Sequence, residues 1–136
     1  MIKDLCAWLD TNLVCSIYRI DDYGVGYRDE ILRGYCKGDI WDEFYFGDDC
    51  GIGIDNVSKI KPYLFPLSSI TIEQEKELSK LGVSYGEYAL HDDIRGLGIM
   101  VDEAYIFFEF CYKHHIDFLG LIEKDLAIDA TGLNVY

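Results

Sequence analysis

Two histidine groups hold the residues best suited to chemistry beyond packing. His91-Asp92-Asp93 and His114-His115 combine imidazoles with carboxylates, a donor set that suits zinc, iron or manganese. If the segments converged, His91, Asp92 and His114 would be the candidate ligands, with Asp93 and His115 beside them. They would mark a small-ligand site of the kind a metal-dependent hydrolase or a nucleotide-sequestering protein uses. The spacing argues against this, because adjacent residues rarely all point at one ion and no HExxH pattern is present.

Other motifs are weaker still. Gly24-Val25-Gly26, Gly51-Ile52-Gly53 and Gly96-Leu97-Gly98 are glycine clusters, but neither GxGxxG nor a P-loop lysine accompanies them. Asp48 and Asp49 would repel a phosphate at the second cluster, so turns and bulges are the expected use. Ser68, Ser69 and the cysteines are nucleophile candidates without a readable elbow motif or partner acid. The serines stand at the mouth of a helix, where hydroxyls cap. The five cysteines, at 6, 15, 36, 50 and 111, include no CxxC pair. Buried reduced thiols are expected, rather than disulfides or a zinc knuckle.

A third group is defined by charge. Between Gly38 and Ser58 lie Asp39, Asp42, Glu43, Asp48, Asp49 and Asp55, with no Lys or Arg. Trp41, Phe44, Tyr45 and Phe46 are interleaved with them. On a strand, Asp42, Phe44 and Phe46 share one face, and Trp41, Glu43 and Tyr45 the other. Carboxylates steer a basic partner and exposed rings supply contact energy. Asp39, Trp41, Asp42, Glu43, Tyr45, Asp48 and Asp49 are therefore the candidate partner-binding residues. The competing reading is a solvated acidic surface that only keeps the protein soluble.

The whole chain shares this character. Its 136 residues carry 25 Asp and Glu against 12 Lys and Arg, a formal net charge of −13. Twelve carboxylates fall in the first 60 residues and 13 in the rest, so the acid is a general surface and not a tail. Half the residues are hydrophobic and 15% aromatic, enough for one folded domain over 1–136. Phosphate contacts are made by Lys and Arg, so direct nucleic-acid or anionic-membrane binding is not expected. No apolar run approaches the roughly 18 residues of a membrane span, and no signal-peptide pattern opens the chain. A cytoplasmic protein without a cofactor is the expectation, and the sequence does not speak to oligomeric state.

The elements that must position these residues form an α+β pattern. Ile2–Leu9 reads as one or two helical turns. Leu13–Ile20 reads as a strand ending in a loop over Asp21–Gly26. Further short strands follow at Glu30–Cys36, Ile40–Phe46 and Cys50–Ile54. Another at Ile60–Phe65 contains Pro62, which suggests a sheet edge or strand start. A bent antiparallel sheet or partial barrel is expected in the N-terminal half, with two or three helices packed on it in the C-terminal half. Thr71 and Gln74 have capping-box spacing, Ile72, Leu78 and Leu81 can line one face, and Gly82 can terminate the helix over 72–81. Val83–Ala89 and Gly96–Val101 read as strands around His91-Asp92-Asp93. Asp102 is placed to cap an apolar helix from Glu103 to about His114, with a further short helix after Asp117.

Lys61-Pro62-Tyr63-Leu64-Phe65-Pro66-Leu67-Ser68-Ser69-Ile70-Thr71 and His114-His115-Ile116-Asp117-Phe118-Leu119-Gly120-Leu121-Ile122-Glu123-Lys124 resemble the KPYLxPLSSMT and HHxDxxGLIEK blocks of a group of short proteins encoded by phages and mobile elements of gut bacteria. The resemblance covers the second half of the chain and implies a genomic setting, with no catalytic role attached. It also implies a structural use for the His pair, at the junction into the last helix. Phe65 and Leu119 stand where such proteins often have Arg, and Asp125 where Gly is usual. Asp125 must therefore adopt a left-handed conformation, or the helix must end differently.

Charge and resemblance together predict a non-enzymatic inhibitor of a host defence or nucleic-acid-processing protein, of which an anti-CRISPR protein would be one form. Such a protein would bind a basic surface in part by resembling a polyanion. The alternatives are the small-ligand or metal protein described above and an accessory structural component of a phage.

Overall fold

Rich in β-branched and aromatic residues, Val14–Asp21 forms strand β1, and Gly24–Cys36 forms the long β2 antiparallel to it. The computed structural model describes residues 5, 6, 8–21, 24–36, 43–47, 50–53, 60–83 and 101–136. Strands β3 (Glu43–Phe46), β4 (Cys50–Gly53) and β5 (Ile60–Pro66) follow. Then come helices α1 (Ile72–Lys80) and α2 (Val101–Lys113), and the two-residue strands β6 (Ile116–Asp117) and β7 (Ile128–Asp129). The strands build one seven-stranded sheet in the order β4-β3-β2-β1-β5-β6, with β7 also on β5. Pairing is antiparallel from β4 to β5 and parallel where β6 and β7 join β5. The architecture is α+β, with the strands mostly in the N-terminal half and the helices in the C-terminal half.

One face of the sheet supplies the core. Cys15, Ile17, Leu32, Phe44, Phe46, Ile60 and Leu64 are buried together with Trp8, Leu13, Leu78, Phe107, Phe110, Cys111 and Ile116. Each such side chain removed from water contributes about 1.5–3 kcal/mol. The register of β2 on β3 shifts between Leu32 and Gly34. That bulge lets Leu32, opposite Phe46, and Tyr35, opposite Phe44, both face inward although three positions separate them. Without it, a one-residue slip would turn one end of the ribbon inside out.

Helix α1 is specified locally. Thr71 Oγ1 accepts the Gln74 N–H at 3.3 Å, and Gln74 Oε1 accepts the Thr71 N–H at 2.9 Å, so the expected capping box is formed. At the other end Gly82 adopts φ +88°. Its N–H donates to Ser79 O and that of Val83 to Leu78 O, the paired bonds of a Schellman ending. The expected apolar face is narrower than the sequence suggests. Leu78 is buried, whereas Ile72 and Leu81 are 65% and 48% exposed.

Several elements differ from the sequence reading, each for a tertiary reason. Gly24–Gly26 lies within β2 and not in a loop, because pairing with β1 continues out to Asp21 and Gly24. Pro62, the third residue of β5, pairs with Cys15 of β1, and β7 and β6 join β5 only from Tyr63 and Phe65 onward, so it does lie near the strand start, as its sequence context suggests. It is tolerated there because its missing N–H falls before the parallel pairing, which starts at Tyr63. Helix α2 begins at Val101, so Asp102 lies within it and is not its cap. The expected last helix is replaced by turns. Asp117 pairs with Pro66 in β6, and its buried carboxylate accepts the N–H groups of Leu121 and Ile122 at 2.9 and 2.8 Å. Asp125 takes the left-handed conformation, φ 57°, at the glycine-like position. The strands expected at Val83–Ala89 and Gly96–Val101 fall almost wholly outside the described residues, and where they are described, Val101 is helical.

Candidate functional site

Strand β3 separates its residues as a half-buried strand should. Phe44 and Phe46 are fully buried, while Tyr45 is 39% exposed and Glu43 lies beside it on the outward face. The Tyr45 hydroxyl donates to Glu43 Oε2 at 3.2 Å. That bond and the neighbouring carboxylate charge push the Tyr45 pKa up, with a smaller contribution from Cys36. The register places Gly34 and Gly51 on either side of Tyr45, and the exposed Cys36 and Gly53 on either side of Glu43. Directly opposite Tyr45 on both neighbouring strands are glycines, so no Cβ crowds the ring there. Of the seven candidate partner-binding residues, Glu43 and Tyr45 thus share one outward face. Asp39, Trp41, Asp42, Asp48 and Asp49 lie outside the described residues.

The outward face continues across the sheet with residues that the sequence reading did not single out. On β2, Val25 and Tyr27 are 64% and 68% exposed, and Asp29 is exposed on the same face. The Tyr18 ring, opposite Tyr27 in the register, meets it edge-on at 5.2 Å. From β5, the Tyr63 hydroxyl reaches across β1 to donate to Asp29 Oδ1 at 2.9 Å. Burial, together with this carboxylate, raises the Tyr63 pKa. A period-two pattern in Val25-Gly26-Tyr27-Arg28-Asp29 was the available signal, hidden by the glycines that suggested a loop.

No family model, curated protein or solved structure matches this chain. Geometry and charge therefore carry the functional reading.

The two histidines at the end of α2 go to different partners. His114 Nε2 lies 3.0 Å from Glu77 Oε2 on α1, and the Lys113 ammonium bonds Glu77 Oε1 at 2.7 Å. The Lys113 bond is the main reason that the Glu77 carboxyl is held below its usual pKa, with His114 adding to it and desolvation opposing it. His115 adopts φ 55°, donates from Nε2 to Thr11 O at 2.8 Å and stacks on Tyr136 at 4.1 Å. Each imidazole thus ties helix α2 to another segment. Among the described residues no group of three potential metal ligands occurs. His91, Asp92 and Asp93 lie outside them.

Of the nucleophile candidates, Cys15, Cys111 and Ser69 are engaged in structure, whereas Ser68 and Cys36 are exposed. The Cys15 and Cys111 thiols are buried, which drives their pKa values far up and keeps them protonated. Ser69 Oγ donates to Pro66 O at 2.7 Å within the 3₁₀ turn ahead of α1. No helix among the described residues is long and apolar enough to cross a membrane.

Proposed function

We propose that this chain is a non-enzymatic interaction protein of a phage or mobile element. It inhibits a host defence or nucleic-acid-processing protein by occupying a basic surface with its acidic and aromatic residues. The carrying observation is the outward pair of Tyr45 and Glu43 on β3. It belongs to the one stretch, 38–58, where carboxylates are dense and no cation is present.

A partner whose groove normally holds phosphates presents Lys and Arg, which carboxylates attract over a range set by the Debye length, about 8 Å at physiological salt. The rings then give the contact its hold, since buried aromatics dominate interface energies. Function through occupancy needs no cofactor. A metal or small-ligand role would need His91, Asp92 or His114 to be free to coordinate, and His114 already faces Glu77.

The test is retention of purified nucleases and other nucleic-acid-binding proteins of the host by the immobilised full chain as salt is raised. Retention that weakens with salt, and is lost on reversing the charges at Asp42, Glu43, Asp48 and Asp49, supports the reading. No retention even at low salt, or binding indifferent to those reversals, rejects it.

A further inference from the structure

We propose that the outward face of the β1–β2 ribbon, centred on Tyr27, is a docking surface for arginine side chains of a basic protein partner. It would extend the acidic–aromatic surface of β3, and the inference rests on the function proposed above.

Three observations point to that occupant. First, the face is aromatic and exposed. Tyr27 and Val25 are each more than three-fifths accessible, Tyr18 braces Tyr27 edge-on, and Tyr63 lies further along the same face. Second, the exposed Asp29 carboxylate stands two positions from Tyr27 on this face, in a chain of net charge −13, and Lys61, on the same face across β1, is neutralised by Asp125. Third, the neighbouring described cations are directed elsewhere or paired. Arg28 alternates to the opposite side of β2, Arg33 at the bulge donates to Asn12 Oδ1 at 3.3 Å, and Lys61 bonds Asp125 Oδ1 at 2.6 Å. A second copy of this chain, a nucleic acid or an anionic membrane would bring negative charge to negative charge. A basic protein brings the complement.

Arginine fits this face better than lysine. Its planar, weakly hydrated guanidinium stacks on tyrosine rings while bonding a carboxylate in the same plane. Asp29 and Tyr27, two positions apart on one face of β2, offer both contacts.

A purely structural role for the Tyr18–Tyr27 pair is the competing account, since cross-strand aromatic pairs stabilise hairpins. The two accounts separate in a titration of the full chain, labelled at its tyrosine rings for NMR, with oligo-arginine and oligo-lysine peptides of equal length at low salt. Docking on this face shifts the Tyr27 and Tyr18 ring resonances with oligo-arginine. Tyr27→Ala then weakens oligo-arginine binding about two- to fivefold, while oligo-lysine binding changes less and Tyr27→Phe restores the wild-type value. If oligo-arginine binds but Tyr27→Ala leaves its affinity unchanged, this inference is overturned. The β3 surface then stands, provided that Glu43→Lys weakens binding. If neither peptide binds, the function proposed above falls with it. The amide spectrum of Tyr27→Ala, a substitution at an exposed position, checks that the fold is retained.

Discussion

His115 joins four parts of the molecule at one side chain and one peptide unit. Its ring stacks on Tyr136, its Nε2 donates to Thr11 O, its own carbonyl accepts the Phe65 N–H, and its φ of 55° turns the chain out of α2. Burial lowers its pKa below the usual 6.5, the nearby His114 adds to this, and the Thr11 bond works the other way. The unfolded chain therefore takes up this proton before the folded one does. The stability from a neutral His115 is complete above about 6.5 and is lost as pH falls through the folded-state pKa. Between about pH 7.5 and 5.5, wild-type Tm should decline more steeply than that of His115→Asn, which tolerates the left-handed backbone but does not titrate. Parallel curves would remove His115 from this role. Gly47 makes a second residue-scale prediction. It has φ +58°, and a Cβ there would run into the Glu30 carboxylate. Gly47→Ala should destabilise by about 1–2 kcal/mol, read from the urea midpoint at unchanged slope.

At the scale of elements, legibility followed locality. The capping box at Thr71 and the glycine ending at Gly82 involve groups within a few residues of each other, so the spacing alone revealed α1. That Phe44 and Phe46 share one face and Glu43 and Tyr45 the other was also readable, because a period of two is a property of the strand itself, while which face turns inward depends on packing. The start of β2 and the parallel strands β6 and β7 were not. Each depends on a partner strand far away in sequence. The same holds for the site, where the Tyr63–Asp29 bond exists only once β5, β1 and β2 are in register. Leu78 is the one buried residue of α1, so its caps should matter to its stability. Thr71→Ala should lower unfolding free energy by about 1 kcal/mol, and Thr71→Ser should recover most of that. Equal midpoints for Thr71→Ala and wild type in urea would show that the box does not support the helix.

Over the whole molecule, the sheet works as a divider. Its inner face collects apolar residues from both halves of the chain, and its outer face carries tyrosines and carboxylates. Exposed rings do not help a protein stay dissolved, and it is on these rings that the proposed docking role and a purely solubilising surface differ. The measurement that tests this account most directly is the affinity for a retained host nuclease as a function of salt. It should be made on the wild-type chain and on the variant with charges reversed at Asp42, Glu43, Asp48 and Asp49. The account predicts wild-type affinity that falls steeply with rising salt, and a variant that binds more weakly with a flatter dependence. Equal affinities and equal salt slopes for the two proteins would contradict it.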